Sequence, residues 1–186
     1  MIIGLAGYAG AGKDTVGNIL IEKHGYRRIA FADKVRGLAY DINPIIDGKQ
    51  RLQNIVGELG WDEAKQHPEV RKILQDTGLA GRNLLGEDIW IWEALGETVY
   101  NEGAMGNPLE QQEPGKIQEN IVVTDVRFEN EARFIRDFGG VVWQVVREGV
   151  TPVNDHISET DLIGFDFDKT ITNNGDLENL EAQIDL

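Results

Sequence analysis

Apolar residues in this chain recur with two different periods, and the two alternate along its length. Five short runs read as strands, at 2–6, 27–31, 120–124, 141–146 and 168–172. The first, third and fourth are almost continuously apolar, the pattern of parallel strands covered on both faces. Helical stripes separate them. Val16, Ile19 and Leu20 begin one that Gly25 is placed to stop, and Ala132, Ile135 and Phe138 form another that Gly139-Gly140 closes. Leu177, Leu180 and Ile184 make the last, with Asp176 as its N-cap. This alternation predicts one domain over 1–186, a three-layer α/β fold with a five-stranded parallel sheet and right-handed crossovers.

Two regions break the rhythm. Residues 33–100 carry mostly helical patterns, among them the stripe Val70, Ile73, Leu74, Thr77 and the aromatic-rich Asp88-Ile-Trp90-Ile-Trp92. They read as a helical subdomain inserted between the second and third strands. The segment 101–119, with Gly103, Gly106, Pro108, Pro114 and Gly115, reads as an exposed loop. So does 148–167, a lid-like stretch that looks too polar to be core.

The junction between the first strand and first helix carries the strongest chemical signal. Gly7-Tyr-Ala-Gly-Ala-Gly12-Lys13 fits the spacing of a phosphate-binding loop. Glycines let backbone N–H groups turn inward, the lysine reaches the outer phosphates, and the helix N-terminus adds partial positive charge. Asp14 stands where a hydroxyl residue usually follows the lysine and reaches the metal ion. Thr15, one residue later but still in the first turn, can supply that oxygen. The departure argues against switch GTPases, as does the lack of an Asn-Lys-x-Asp motif and the presence of Val-Arg-Phe after Asp125.

A second signal lies at Val122-Val-Thr-Asp125-Val-Arg127. An acid at the end of a buried strand can hold Mg2+ directly or through water. Arg127 can reach the same C-terminal edge of the sheet, where ligands of open α/β sheets bind.

Composition sharpens this reading. The formal net charge is −14, from 32 acids against 18 bases. Such a surface repels nucleic acid and anionic lipid, so an anionic substrate needs a local cluster of the few basic residues. With no cysteine, disulfides and thiolate metal sites are excluded. No apolar stretch approaches bilayer-spanning length, and a cytoplasmic protein is expected.

Taken in order, these motifs resemble the nucleoside monophosphate kinase superfamily, most closely the phage-type deoxynucleoside monophosphate kinases. The similar features are Gly7-x4-Gly12-Lys13-Asp14-Thr15, Phe31-Ala32-Asp33, Gly81-Arg82 with Asp88-x-Trp90, Thr124-Asp125-Val126-Arg127-Phe128-x-Asn130-Glu131, His156-x-Ser158-Glu159 and Asn173-Asn174-Gly175. The resemblance implies a P-loop NTPase fold, ATP and Mg2+ as phosphate donor and cofactor, and a deoxynucleoside monophosphate as acceptor. Gly10, Ala11, Gly12, Lys13, Asp14 and Thr15 would wrap the ATP phosphates, and Asn174 and Gly175 would border the adenine. Thr15 and Asp125 would hold the metal. Asp33 and Arg36 would meet the acceptor nucleotide, Arg82 and Arg127 would grip its phosphate, and Asp88 and Trp90 would shape its base or sugar pocket. Arg147 would approach the transferring phosphoryl group.

Blander roles stand beside these: Asp33 as an N-cap, Trp90 and Trp92 as core, His156 and Glu159 as structural residues. The lid segment departs from the adenylate kinase pattern, since 148–168 hold no Arg or Lys. The resemblance is compatible with a homodimer and with a phage protein in host cytoplasm. Animal phosphomevalonate kinases look similar in the C-terminal half. A kinase of that acceptor or of dephospho-coenzyme A is therefore the rival enzyme reading, and a nucleotide-dependent binding module the rival from another class.

Overall fold

The computed structural model describes residues 1–99 and 119–184, apart from a few side chains near position 99. The expected loop at 101–119 thus falls, except for Glu119, outside the described residues. The chain divides into two compact units: Met1–Ala30 with Ala94–Leu186, and Phe31–Glu93.

The first unit is the α/β body. Its strands are β1 (Ile2–Ala6), β2 (Arg27–Ile29) and, counting the short hairpin strands below as β3 and β4, β5 (Ile121–Val126), β6 (Val141–Val146) and β7 (Lys169–Thr172). They pair in the order β2-β5-β1-β6-β7, every pair parallel. β1 is central and wholly buried, as its unbroken apolar run requires. The sheet grows outward from it in both directions, so the C-terminal ends of β5, β1 and β6 bracket a topological switch point.

Side-chain alternation gives the sheet two covered faces. Ile3 and Leu5 join Val16, Ile19 and Leu20 of α1 (Lys13–His24), together with Trp143, Ile171 and Leu180, in one core. Leu180 belongs to α8 (Leu177–Glu181), where Asp176 caps as expected by accepting from Asn179 N at 2.9 Å. On the opposite face, Gly4 lies under Ile135 of α6 (Glu129–Asp137): a Cβ there would come within 2.6 Å of Ile135 Cδ1. The glycine in β1 is thus a packing requirement that lets a helix close on the central strand.

Several boundaries differ from the sequence reading. β2 ends at Ile29 and α2 begins at Phe31, so Asp33 sits in the first helical turn rather than capping it. β5 runs on to Val126, and its register with β1 slips between Gly4 and Ala6, where Val123 and Val126 are the partners. Such a bulge bends the strand end and re-aims the side chains of Thr124 and Asp125. The 148–167 segment is anchored by more than polar contacts. Phe165 and Phe167 stack edge to face at 5.1 Å, with Arg136 4.8 Å from the Phe165 ring centre.

The second unit is mostly helical: α2 (Phe31–Ile42), α3 (Leu52–Ala64), α4 (Pro68–Leu85) and the start of α5 (Ile89–Val99). α3 bends at Gly60, whose φ of 74° no helix holds. Ala39, Ile46, Leu52, Ile55, Ala64 and Val70 form its own core. A hairpin unforeseen from the sequence, β3 (Ile45–Ile46) with β4 (Gln50–Arg51), turns at Asp47-Gly48, both in left-handed conformation. That dipeptide favours such turns. Among the described residues, no helix is long and apolar enough to cross a membrane.

Candidate active site

The loop after β1 is shaped by backbone rather than by side chains. Gly7, Gly10 and Gly12 have φ of 137°, 84° and 104°, and a Cβ on Gly7 would meet the Val145 carbonyl at 2.3 Å. Gly12 is the N-cap of α1 and offers no side chain to its first N–H groups. Those donors therefore stay open to an anion, backed by the helix dipole. Asp14 and Thr15 in the same first turn are exposed.

Lys13 folds back over this loop, donating from Nζ to Gly7 O at 2.7 Å and to Tyr8 O at 3.0 Å. Burial pushes its pKa down to about 8, and the Arg127 charge pushes the same way against Asp14, Asp125 and Glu159. The shift shows that Lys13, Arg127 and Asp125 share one electrostatic neighbourhood at the ends of β1 and β5. Two cations held in each other's field repel, and a polyphosphate relieves that repulsion.

Arg127 is aimed from two sides. Buried Glu131 accepts from the backbone N–H of Arg127 at 2.7 Å and of Phe128 at 3.0 Å, fixing where the strand gives way to α6. The guanidinium pairs through Nη1 with Glu159 Oε1 at 2.8 Å, and the Glu159 side chain is only 5% exposed. Glu159 lies in α7 (Ile157–Thr160), whose N-cap is His156: its Nδ1 accepts from Ser158 N at 3.2 Å. Just beyond α7, Asp161 accepts from Glu129 N at 2.9 Å. The 148–167 segment is thus fastened to the β5–α6 corner by two acids.

A cavity of about 240 Å3 opens here, bordered by Gly7, Tyr8, Arg127, Arg147, Glu159 and Phe167 among others. Arg147, exposed at the end of β6, is brought to this cavity together with Arg127. Asn174 accepts from Glu148 N at 2.8 Å, linking the β7 end to the start of the covering segment. Its neighbour Asn173 donates to Ala11 O at 2.9 Å and packs so tightly on Gly12 that a Cβ there would lie 2.1 Å from Asn173 Nδ2. The sequence analysis assigns Asn173 no role of its own and Glu159 a structural one, and the ion pair with Arg127 is a contact of that kind. The Asn-Asn-Gly and His-x-Ser-Glu motifs carried both signals, but nothing in their spacing said which member faces the loop.

The remaining residues lie in the helical unit. Asp33 Oδ1 and Arg36 Nη1 pair at 3.0 Å on α2. Arg82 donates to Glu87 O at 2.7 Å at the end of α4, and Asp88 is exposed beside it. Trp90 is 7% exposed, donates from Nε1 to Gly78 O at 2.8 Å and packs directly over Gly81.

No three His, Cys, Asp or Glu side chains cluster as a cage among the described residues. Thr15 and Asp125 offer a hydroxyl and a carboxylate, a hard-oxygen set. That fits Mg2+, which takes one or two protein oxygens and completes its shell with substrate phosphates and water.

Comparison with known proteins gives the family. A family model described as deoxynucleotide monophosphate kinase matches residues 62–184. A putative deoxynucleotide monophosphate kinase of Acanthamoeba polyphaga mimivirus is 27% identical over 205 residues, covering 99% of this chain and 94% of that protein. The deoxynucleotide monophosphate kinase of Escherichia phage RB69 is 41% identical over 64 residues, 34% of this chain and 26% of the phage protein. Among solved structures, shikimate kinase from Aquifex aeolicus vf5 aligns over 99% of this chain and 93% of its own, at 13% identity and a TM-score of 0.43. That likeness is too weak to add to the fold already given by the sheet order.

Proposed function

This chain belongs to the deoxynucleotide monophosphate kinase family, and from that premise we propose that it moves the γ-phosphoryl group of ATP to a deoxynucleoside 5′-monophosphate, releasing the diphosphate and ADP. The observation that carries this reading is a glycine loop opening on an uncapped helix N-terminus, with Lys13 folded over it and Arg127 and Arg147 on the adjoining cavity.

Backbone N–H groups of Gly10 to Thr15 cradle the triphosphate, and Lys13 exchanges its two loop carbonyls for β- and γ-oxygens. Thr15 and Asp125 would hold Mg2+, which would supply positive charge against the donor phosphates. Arg127 takes the acceptor's phosphate, exchanging Glu159 for it, while Arg147 steadies the moving phosphoryl group. Asn174 and Gly175 border the adenine. Arg82, Asp33, Arg36, Asp88 and Trp90 serve the acceptor.

An acceptor phosphate oxygen attacks the γ-phosphorus in line, a new P–O bond forms, and the bond to the bridging oxygen breaks, leaving its electrons on ADP. The attacking oxygen is ionised at neutral pH, so no strong base is needed. Catalysis then consists of positioning and positive charge, as the loose transition state demands. The 148–167 segment keeps water from the γ-phosphate. Viral relatives support a setting in host cytoplasm.

The test is ADP release with Mg-ATP and single acceptors in parallel: the common deoxynucleoside and nucleoside monophosphates, dephospho-coenzyme A and phosphomevalonate. Selective turnover with a deoxynucleoside monophosphate is expected. Turnover confined to either of the last two would replace the proposal.

A further inference from the structure

Asn173 is joined to the phosphate loop at a peptide whose other end is one of the cradle's donors. The residue follows directly on β7 and is fixed before its side chain is used. Its backbone N–H donates to Val146 O at 2.8 Å, and the next residue, Asn174, accepts from Glu148 N at 2.8 Å. From this fixed point Asn173 Nδ2 donates to Ala11 O at 2.9 Å. A carbonyl oxygen only accepts, so the NH2 end of the amide must be the one that meets it. Ala11 is buried, and among the described residues no other group donates to its carbonyl.

The consequence lies on the far side of the same peptide plane. A trans peptide sets its C=O and the following N–H in opposite directions. With Ala11 O held by Asn173, the Gly12 N–H points away from Asn173, and no described residue accepts from it. Gly12 cannot keep this orientation unaided. Its φ of 104° lies in a region that glycine enters and leaves readily. A flip of the Ala11–Gly12 peptide would put a carbonyl oxygen where the cradle offers a donor, and an anion would meet repulsion there.

Resting on the reading of this loop as the ATP phosphate site, we propose that Asn173 is a positioning residue for the donor nucleotide. By gripping the Ala11 carbonyl it holds the Gly12 N–H toward the phosphates, and it touches no reacting atom itself.

Equilibrium titration with Mg-ATP, thermal melting and the NMR signal of the Gly12 amide proton test this without any acceptor. Asn173→Ala should weaken Mg-ATP about tenfold, the scale of one hydrogen bond. On addition of Mg-ATP the Gly12 proton should shift downfield in the native chain and stay nearly unmoved in the variant. Asn173→Asp keeps the shape but loses the donor while ionised. A carbonyl oxygen opposite favours its protonated form, which can donate again. Its affinity relative to native, and its Gly12 shift, should therefore recover as the solution is acidified from about pH 8 to about pH 5.5, while the Asn173→Ala ratio stays flat.

A lowered melting temperature with native Mg-ATP affinity would leave Asn173 a fastening of the fold alone and overturn the inference. So would weakened affinity with the Gly12 shift intact. Should Asn173→Ala not fold, Asn173→Asp decides: a Gly12 shift that returns on acidification upholds the inference, and one that does not overturns it. Native binding of Mg-ATP without turnover of any acceptor would sink the transfer reading and spare this one; a native chain that binds no Mg-ATP would end both.

Discussion

The turn at 7–15 and the segment at 148–167 border the same cavity, yet they are held by different forces. The turn is built from backbone: three left-handed glycines, an uncapped helix start, and tight packing against Val145 and Asn173. The covering segment is held instead by acids, Glu159 on Arg127 and Asp161 on the Glu129 amide, together with the Phe165–Phe167 anchor. On the proposed reading, a phosphate would take Lys13 from its loop carbonyls without disturbing the glycine backbone, and would compete with Glu159 for Arg127. The proposed function would make the first a preformed binding surface and the second a cover that responds to substrate.

Removing the charge that serves the rigid turn should have the largest effect. Lys13→Ala is expected to lower kcat about a thousandfold, the scale of losing a charge-stabilising donor in the transition state. Turnover within tenfold of native would show that the backbone cradle suffices without its cation. Arg127→Ala, at the boundary of the two regions, should cut kcat/KM for the acceptor by about a hundredfold, or about 2.7 kcal/mol. Its ATP dissociation constant should stay close to native in direct titration. Equal losses for both substrates would place Arg127 in the donor site instead.

The lowered pKa of Lys13 sharpens the comparison through pH. Below about 8 the amine is charged in the free protein, and bound phosphate keeps it so. Above that value the free amine is neutral and must take up a proton on binding. ATP affinity should therefore fall as pH rises past about 8, by up to about tenfold per pH unit. Calorimetry in buffers of different ionisation enthalpy would detect the proton uptake; a flat profile from pH 7 to 9.5 would remove Lys13 from the phosphate site. The smallest effect is expected in the cover. Glu159→Gln frees Arg127 from a competitor and should lower the acceptor KM about threefold, while proteolysis within 148–167 quickens. A raised KM would instead make Glu159 a support for Arg127.

Much of the first unit was legible in the sequence because one physical signal dominated each element. Unbroken apolar runs marked β1, β5 and β6, and glycines marked the turns that follow α1 and α6. The loop at Gly7–Thr15 was legible for the same reason, since its geometry is written in glycines. The hairpin at 45–51 was not read, although Asp47-Gly48 carried its turn, because two-residue strands are too short to show a period. Pairings across long separations, such as Asn173 with Ala11 or Glu159 with Arg127, were beyond reach. Asn173, Glu159 and Arg127 are ordinary polar residues, Ala11 offers only its backbone carbonyl, and only the fold brings each pair together.

The account rests on one transfer, and labelled ATP follows it directly. With γ-labelled Mg-ATP and a deoxynucleoside monophosphate, the label is predicted to appear in the deoxynucleoside diphosphate, one equivalent for each ADP formed. Label recovered only as orthophosphate, or left on ATP while the acceptor is bound, would contradict the central claim.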